Sequence, residues 1–384
     1  MKTKISRFPA LSLAAMAMLA TLNAPAQLTL GITQLGNDSV LSWPTTVSNC
    51  VLQSATDLAA ANWLAVSNVG WVVNGNNYTV TVANTARARF FRLYNTNTTA
   101  IITGMALIPA GAFQMGDTFS EGYSEELPLH IVYVSAFYMD QYEVTYALWQ
   151  QVYNWAVAHG YSFAYAGSGN AANHPVQTVC WYDCVKWCNA RSEKEGRTPA
   201  YYTDDMQTNV YRTGLVDVDN SSVNWDAGYR LPTEAEWEKA ARGDAIGQRF
   251  PWGNTISWSQ ANYDAYPGAD AYDVNPTSGY NPAFKDGDWR DPTYTSPVNY
   301  FAPNGYVLYD MAGNVEEWCW DWAGFYGSDS QSDPRGPSSS TSFRMIRGGS
   351  WNLSAFYCRS ACRNYYDPTD SYRMGFRAVL PPGP

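Results

Sequence analysis

Two patterns of apolar and polar positions divide this chain. From residue 27 to 96 the apolar residues come in short alternating or β-branched runs: LTLGIT, SVLSW, CVLQSA, NYTVTV and RFFRLY, separated by Asn, Gly, Asp and Ser. A period of two between turn residues predicts short, half-buried strands packed as a small all-β sandwich. Nothing in this stretch looks catalytic. It reads as an accessory or spacer domain, with a sugar- or protein-binding aromatic face as the other reading. After a polar linker at 97–104, the period lengthens. EVTYALWQQVYNWAVAH predicts a helix over about 143–159, and WYDCVKWCNARSEKE one over 181–195 that stops before Gly196. TEAEWEKAARG predicts a third: Thr233 can cap it, Glu236 can reach back to complete a capping box, and Gly243 can end it. Elsewhere from Met105 to the end Trp, Tyr, Gly, Asp and Asn are dense, and no fixed repeat is found.

The first 26 residues have a different character. Lys2, Lys4 and Arg7 precede an apolar run from Ala10 to Leu22, and Ala24-Pro25-Ala26 forms a small-x-small cleavage site. This predicts a secretory signal peptide at 1–26, cut after Ala26, and a secreted or periplasmic destination. No later apolar run is long enough for a membrane span.

Charge and composition narrow the chemistry. The net charge of −10 becomes −10 − 3 = −13 once the three cations of the signal are removed. A surface this acidic excludes binding to a nucleic-acid backbone and suits calcium. Aromatic and charged residues are each 15% of the chain, which favours a loop-rich, aromatic-packed body over a salt-bridged helical one. There are seven cysteines: Cys50, Cys180, Cys184, Cys188, Cys319, Cys358 and Cys362. An odd count leaves at least one thiol unpaired within a monomer. Cys180, Cys184 and Cys188 form one helical stripe, suited either to a soft metal or to core packing. Only three histidines occur, His130, His159 and His174, and none is spaced as a metal pair.

LYDMAGNVEEWCWDW is more specific. Asp310 and Glu317 bracket a Gly313-Asn314 turn that can aim carbonyls inward, which together make a hard oxygen cage for calcium. The plainer alternative is that both acids serve as caps or ion pairs. ANYDAYPGADAYDVN is a second oxygen-rich segment, although its spacing is not that of an EF-hand loop.

An ordered set of motifs then points to a family. MALIPAGAFQMGD, FYMDQYEVTYALWQQV, HPVQTVCWYDCVKWCN, YRLPTEAEWEKAARG, FPWGN, NGYVLYDMAGNVEEWCWDW, RMIRGGSW and MGFR follow one another in this order. Together they resemble the formylglycine-generating enzyme (sulfatase-modifying factor) family across residues 105–380. The resemblance implies a domain at 105–384 with an α+β fold related to C-type lectins, low in regular secondary structure. It also implies structural calcium. Asp310, Gly313, Val315 and Glu317 fall at one calcium site, and Asn262 and Tyr263 at the first ligands of a second.

Oxidase members of that family bind copper(I) through two thiolates and convert a substrate cysteine to formylglycine. Counted from Gly348-Gly349-Ser350, the second thiol falls on Cys358 but the first falls on Leu353, while Ser350 is retained. Cys362 as a shifted partner, or Cys319 from the EEWC loop, are two ways to restore a pair, and either pairing is equally that of a structural disulfide. The expectation is therefore a secreted, calcium-stabilised family member without the usual copper site, acting in protein or glycan recognition. A formylglycine-generating oxidase with a shifted thiol pair and a structural envelope module are the alternatives.

Overall fold

The computed structural model describes residues 102–285, 294–338 and 340–382, the strand Ala14–Ala17, and residues 30–35, 38–44, 50–55, 64–65, 72–75, 77–83 and 88–95. Apart from Ala14–Ala17, the expected signal peptide lies outside the described residues. The chain divides into two compact units, Met1–Ala100 and Ile101–Pro384.

The N-terminal unit holds two four-stranded sheets. In one, Asp38–Pro44 lies between Gly31–Leu35 and Asn77–Ala83, and Val72–Asn74 forms an edge. In the other, Ala88–Asn95 lies between Ala14–Ala17 and Cys50–Ala55, which also pairs with Leu64–Ala65. The alternation seen in SVLSW is realised: Ser39, Leu41 and Trp43 point inward. Leu41, Trp43, Val80 and Val82 from the first sheet join Leu52 and Phe91 from the second in one core, as in a sandwich.

The C-terminal unit has three α-helices among its described residues. They are α1 (Tyr146–Ala158), α2 (Trp181–Lys194) and α3 (Glu234–Arg242). Thr145 caps α1 through a bond from the Leu148 amide, so the helix starts three residues later than its apolar pattern predicts, and Glu143 stands outside it. The α3 capping box forms as read: Thr233 accepts from the Glu236 amide, Glu236 accepts from the Thr233 amide, and Gly243 ends the helix with φ 56°. The strands are short. Phe137–Asp140 pairs with both Met105–Ile108 and Val379–Leu380, which ties the start of the unit to its end. Glu316–Trp322 pairs with Arg344–Arg347 and Met374–Gly375, and Arg344–Arg347 also pairs with Asn364–Tyr366.

Helix α2 is buried from Trp181 to Ser192. Cys180, Cys184 and Cys188 are free and fully buried in its core, where burial pushes the Cys180 thiol up to about 12. They pack as small apolar residues. Aromatic packing accounts for the composition: Trp149 stacks on Trp187 at 5.9 Å. Arg344 is closed between Trp181 and Trp322, 3.7 and 3.4 Å from their ring centres. It forms no ion pair among the described residues and donates instead to the Trp320 and Val218 carbonyls. Lysine cannot reproduce a planar cation between two rings. Arg344→Lys is expected to cost about 2–3 kcal/mol, read as a lower denaturant midpoint; an unchanged midpoint would refute this role.

Candidate functional site

The RGGSWNLSAFYCRSAC segment runs on from strand Arg344–Arg347 and is anchored by Arg347, Arg359 and the adjoining Arg363. Arg347 is fully buried, bonds Glu238, and donates to the carbonyls of Ser360, Ala361 and Cys362. Arg359 makes two 2.8 Å bonds to Glu126. Arg363 pairs with Glu234 at 2.6 and 2.7 Å. Buried acids from α3 and from the Ser124–Glu126 turn thus hold the segment's backbone in place. Gly349, at φ 71°, is packed so closely that a Cβ there would meet Cys358 Sγ at 3.0 Å.

Cys358 is sealed under this turn, with no exposed surface, among Phe250, Tyr263 and Ala355. Burial, then the neighbouring Cys362, pushes its thiol well above the ordinary range. Cys362 is also free and buried, and burial pushes it up to about 12. Of the two candidate partners, Cys362 lies close enough to influence Cys358, while Cys319 packs elsewhere, with Trp237 and Met345. No disulfide joins the three. Ser350 is buried, and its hydroxyl donates to Asn352 at 2.9 Å.

Leu353 is only half-buried, and it lines a cavity of about 690 Å³. Around it stand Tyr123, Phe325, Phe343, Tyr357, Tyr365 and Tyr366, with Arg363, Asn364 and Arg373. The position expected for the first thiol therefore faces open space, while the thiol that is present does not.

The Asp310 turn forms a second cluster. Asp310 is in the left-handed region at φ 56°, and its Oδ2 accepts from the Asn299 amide at 2.9 Å. Its Oδ1 is buried without a hydrogen-bond partner. Glu317 is found in the ion-pair role. Both its oxygens accept from Arg377, at 2.6 and 2.7 Å, and Oε2 also accepts from Trp237 Nε1. Gly313, at φ 80°, packs against Asn262, where a Cβ would come within 2.3 Å of the carbonyl. That Asn262 carbonyl accepts from the Asn314 amide, and the Tyr263 carbonyl accepts from Trp258 Nε1.

Glu143 joins this cluster, and nothing in its local sequence marks it. Its carboxylate accepts from Asn314 Nδ2 at 2.6 Å and from the Val315 amide at 3.2 Å. Burial, reinforced by Asp310 and Glu317, holds its carboxyl well above the usual range. Glu143, Asp310 and Glu317 are three buried carboxyls facing one buried guanidinium, that of Arg377. Among the described residues no three His, Cys, Asp or Glu side chains gather into a metal-binding group, so an ion at this turn would also need main-chain carbonyls.

Asp321, at the far end of the same strand, is buried against α3 and accepts from the Glu234 amide at 2.7 Å. Burial first, then Glu234 and Glu236, raise its carboxyl to about 8, opposed by Arg363. A carboxyl raised in the folded state binds a proton that the unfolded chain has already released. Its contribution is full near its unfolded pKa and is lost as pH rises toward about 8. Asp321→Asn is therefore expected to raise Tm above neutral pH and to flatten its decline between pH 5 and 9. An unchanged Tm–pH profile would refute this.

Among known families, residues 91–381 match the sulfatase-modifying factor enzyme 1-like domain, FGE-sulfatase. The formylglycine-generating enzyme of Thermomonospora curvata is 34% identical over 73% of this chain and 95% of its own length. Chaperone protein LppX of Paenibacillus barcinonensis is 32% identical over 66% of this chain and 80% of its own. Treponema denticola variable protein 1 superposes with a TM-score of 0.55 at 30% identity, covering 72% of this chain and 95% of that structure. The fold is accordingly of the formylglycine-generating-enzyme type, C-type-lectin-like, with many short strands and few helices. On these matches, together with its ordered motifs, the chain belongs to the formylglycine-generating enzyme (sulfatase-modifying factor) family.

Proposed function

We propose that this chain is an exported recognition protein of its family, without the two-thiolate copper oxidase site, that binds a protein or glycan partner. One observation carries the reading: Leu353 stands at the cavity where the first thiol is expected, and Cys358 is sealed under the Gly349 turn. A leucine cannot ligate copper, and the raised pKa of Cys358 and Cys362 opposes the thiolates that a soft cation needs. That a relative bears the name chaperone protein is in keeping with recognition. Copper(I) titration is expected to show no stoichiometric binding, and a C-x-P-x-R peptide to remain unconverted. Turnover of that peptide would overturn the proposal.

Calcium is proposed as the structural ion at the Asp310 turn. The unpartnered Asp310 Oδ1 and the excess of buried carboxyls over guanidinium fit a divalent cation. Asp310 and the carbonyls of Gly313 and Val315 would hold it, with Glu143 fixing the turn and Glu317 contributing charge through its Arg377 pair. Calcium supplies charge compensation there and no chemistry. Asn262 and Tyr263 have weaker support as a second site, since their carbonyls already accept hydrogen bonds. A chelator is expected to remove about 2–3 kcal/mol of stability relative to calcium at a hundredfold over Kd, and Asp310→Ala to abolish that difference. A melting temperature indifferent to chelator would refute the site.

A further inference from the structure

The cavity beside Leu353 has a character of its own. Phe325, Tyr365, Tyr123 and Phe343 line it and yet are 81, 46, 45 and 41% exposed. Tyr365 and Phe343 lie 5.5 Å apart. Exposed aromatic rings suit a flat, C–H-rich partner. The two cations in the lining are already matched, Arg363 by Glu234 and Arg373 by Glu316 at 3.5 Å, so no free positive charge awaits a phosphate, sulfate or carboxylate.

The second pair is incomplete. Glu316 is 1% exposed, and its Oε2 and Arg373 Nε both lack a hydrogen-bond partner although the two residues are in ion-pair range. These two atoms face each other and are closed to solvent, so the polar groups offered to a ligand are those that line the cavity, Arg373 and Asn364. Asn364 donates to the other Glu316 oxygen at 2.9 Å and also lines the cavity, so the polar floor is held in place. Arg373 itself is in the left-handed region at φ 58°, a conformation that costs free energy in a non-glycine residue.

We propose that this cavity binds a short neutral oligosaccharide, which stacks on Phe325 and Tyr365 and hydrogen-bonds Arg373 and Asn364 through its hydroxyls. The inference rests on the recognition reading above and names its ligand class. A volume of about 690 Å³ is in the range of small-ligand sites.

Calorimetric titration of the full chain with cello-, xylo-, malto- and chito-oligosaccharides tests it. At least one series is expected to bind. Phe325→Ala, Tyr365→Ala and Arg373→Met are each expected to weaken that binding about tenfold. The two aromatic side chains are exposed enough that their variants should keep the parent's unfolding midpoint. Failure of every series at millimolar concentration, or affinity unchanged in the Phe325→Ala/Tyr365→Ala double variant, would overturn the sugar assignment. Peptides bound in this cavity in place of sugars would also overturn it while leaving the recognition reading standing. Conversion of the C-x-P-x-R peptide would instead defeat the recognition reading itself.

Discussion

Arg377→Met is expected to destabilise the C-terminal unit by about 3–5 kcal/mol, because it strands acids that cannot reach water. Arg377 is fully buried, pairs both oxygens of Glu317, and donates to the Tyr309 carbonyl at 3.0 Å. It is also the cation that offsets Glu143 and Asp310. Methionine matches much of its bulk and none of its charge. The carboxyls left behind would have to take up protons, so the variant should regain more stability than the parent does as pH falls from 8 to 5. Denaturant unfolding at both pH values reads the effect. A loss below about 1 kcal/mol at pH 8 would mean that the cluster is compensated in some other way.

Glu126→Gln is expected to cost about 3–5 kcal/mol as well, and to open the RGGSWNLSAFYCRSAC segment. Glu126 has no exposed surface, and its carboxylate accepts from both terminal nitrogens of Arg359 and from the Tyr123 amide. With glutamine there, Arg359 keeps only Asp117, at 3.7 Å, as a charged partner. Arg359 directly follows Cys358, so loosening it should expose that thiol. In the parent, alkylation under native conditions followed by mass mapping is expected to leave Cys358 unmodified; in the variant it should react within the folded state. A parent Cys358 that reacts readily would refute its burial, and an unreactive variant of full stability would refute the anchoring role of Glu126.

Much of the fold was legible because its signals are local. The α3 capping box involves residues three apart, and the SVLSW strand shows its buried face in consecutive letters. The start of α1 shows two local signals in competition: Val144 fits the apolar pattern, but Thr145 competes as the cap and wins by accepting the Leu148 amide. The RGGSWNLSAFYCRSAC stretch drew attention to its cysteines. Its Arg359 and Arg347 and the adjoining Arg363 hold it, through Glu126, Glu238 and Glu234, and those partners lie 233, 109 and 129 residues away. No spacing rule reaches so far.

By itself the sequence determined the family, through motifs in a fixed order, and the substitution of Leu353 for the expected first thiol. Both are matters of residue identity, which folding does not alter. The tertiary structure decided what those residues face. It sealed Cys358 under Gly349 and turned Leu353 toward an aromatic cavity. It gave Glu317 to Arg377 and brought Glu143 across 171 residues to the Asp310 turn. The reason is physical: a carboxylate's role depends on which charges and how much water surround it once it is buried. In a chain built of short strands and long loops, those neighbours come from distant segments.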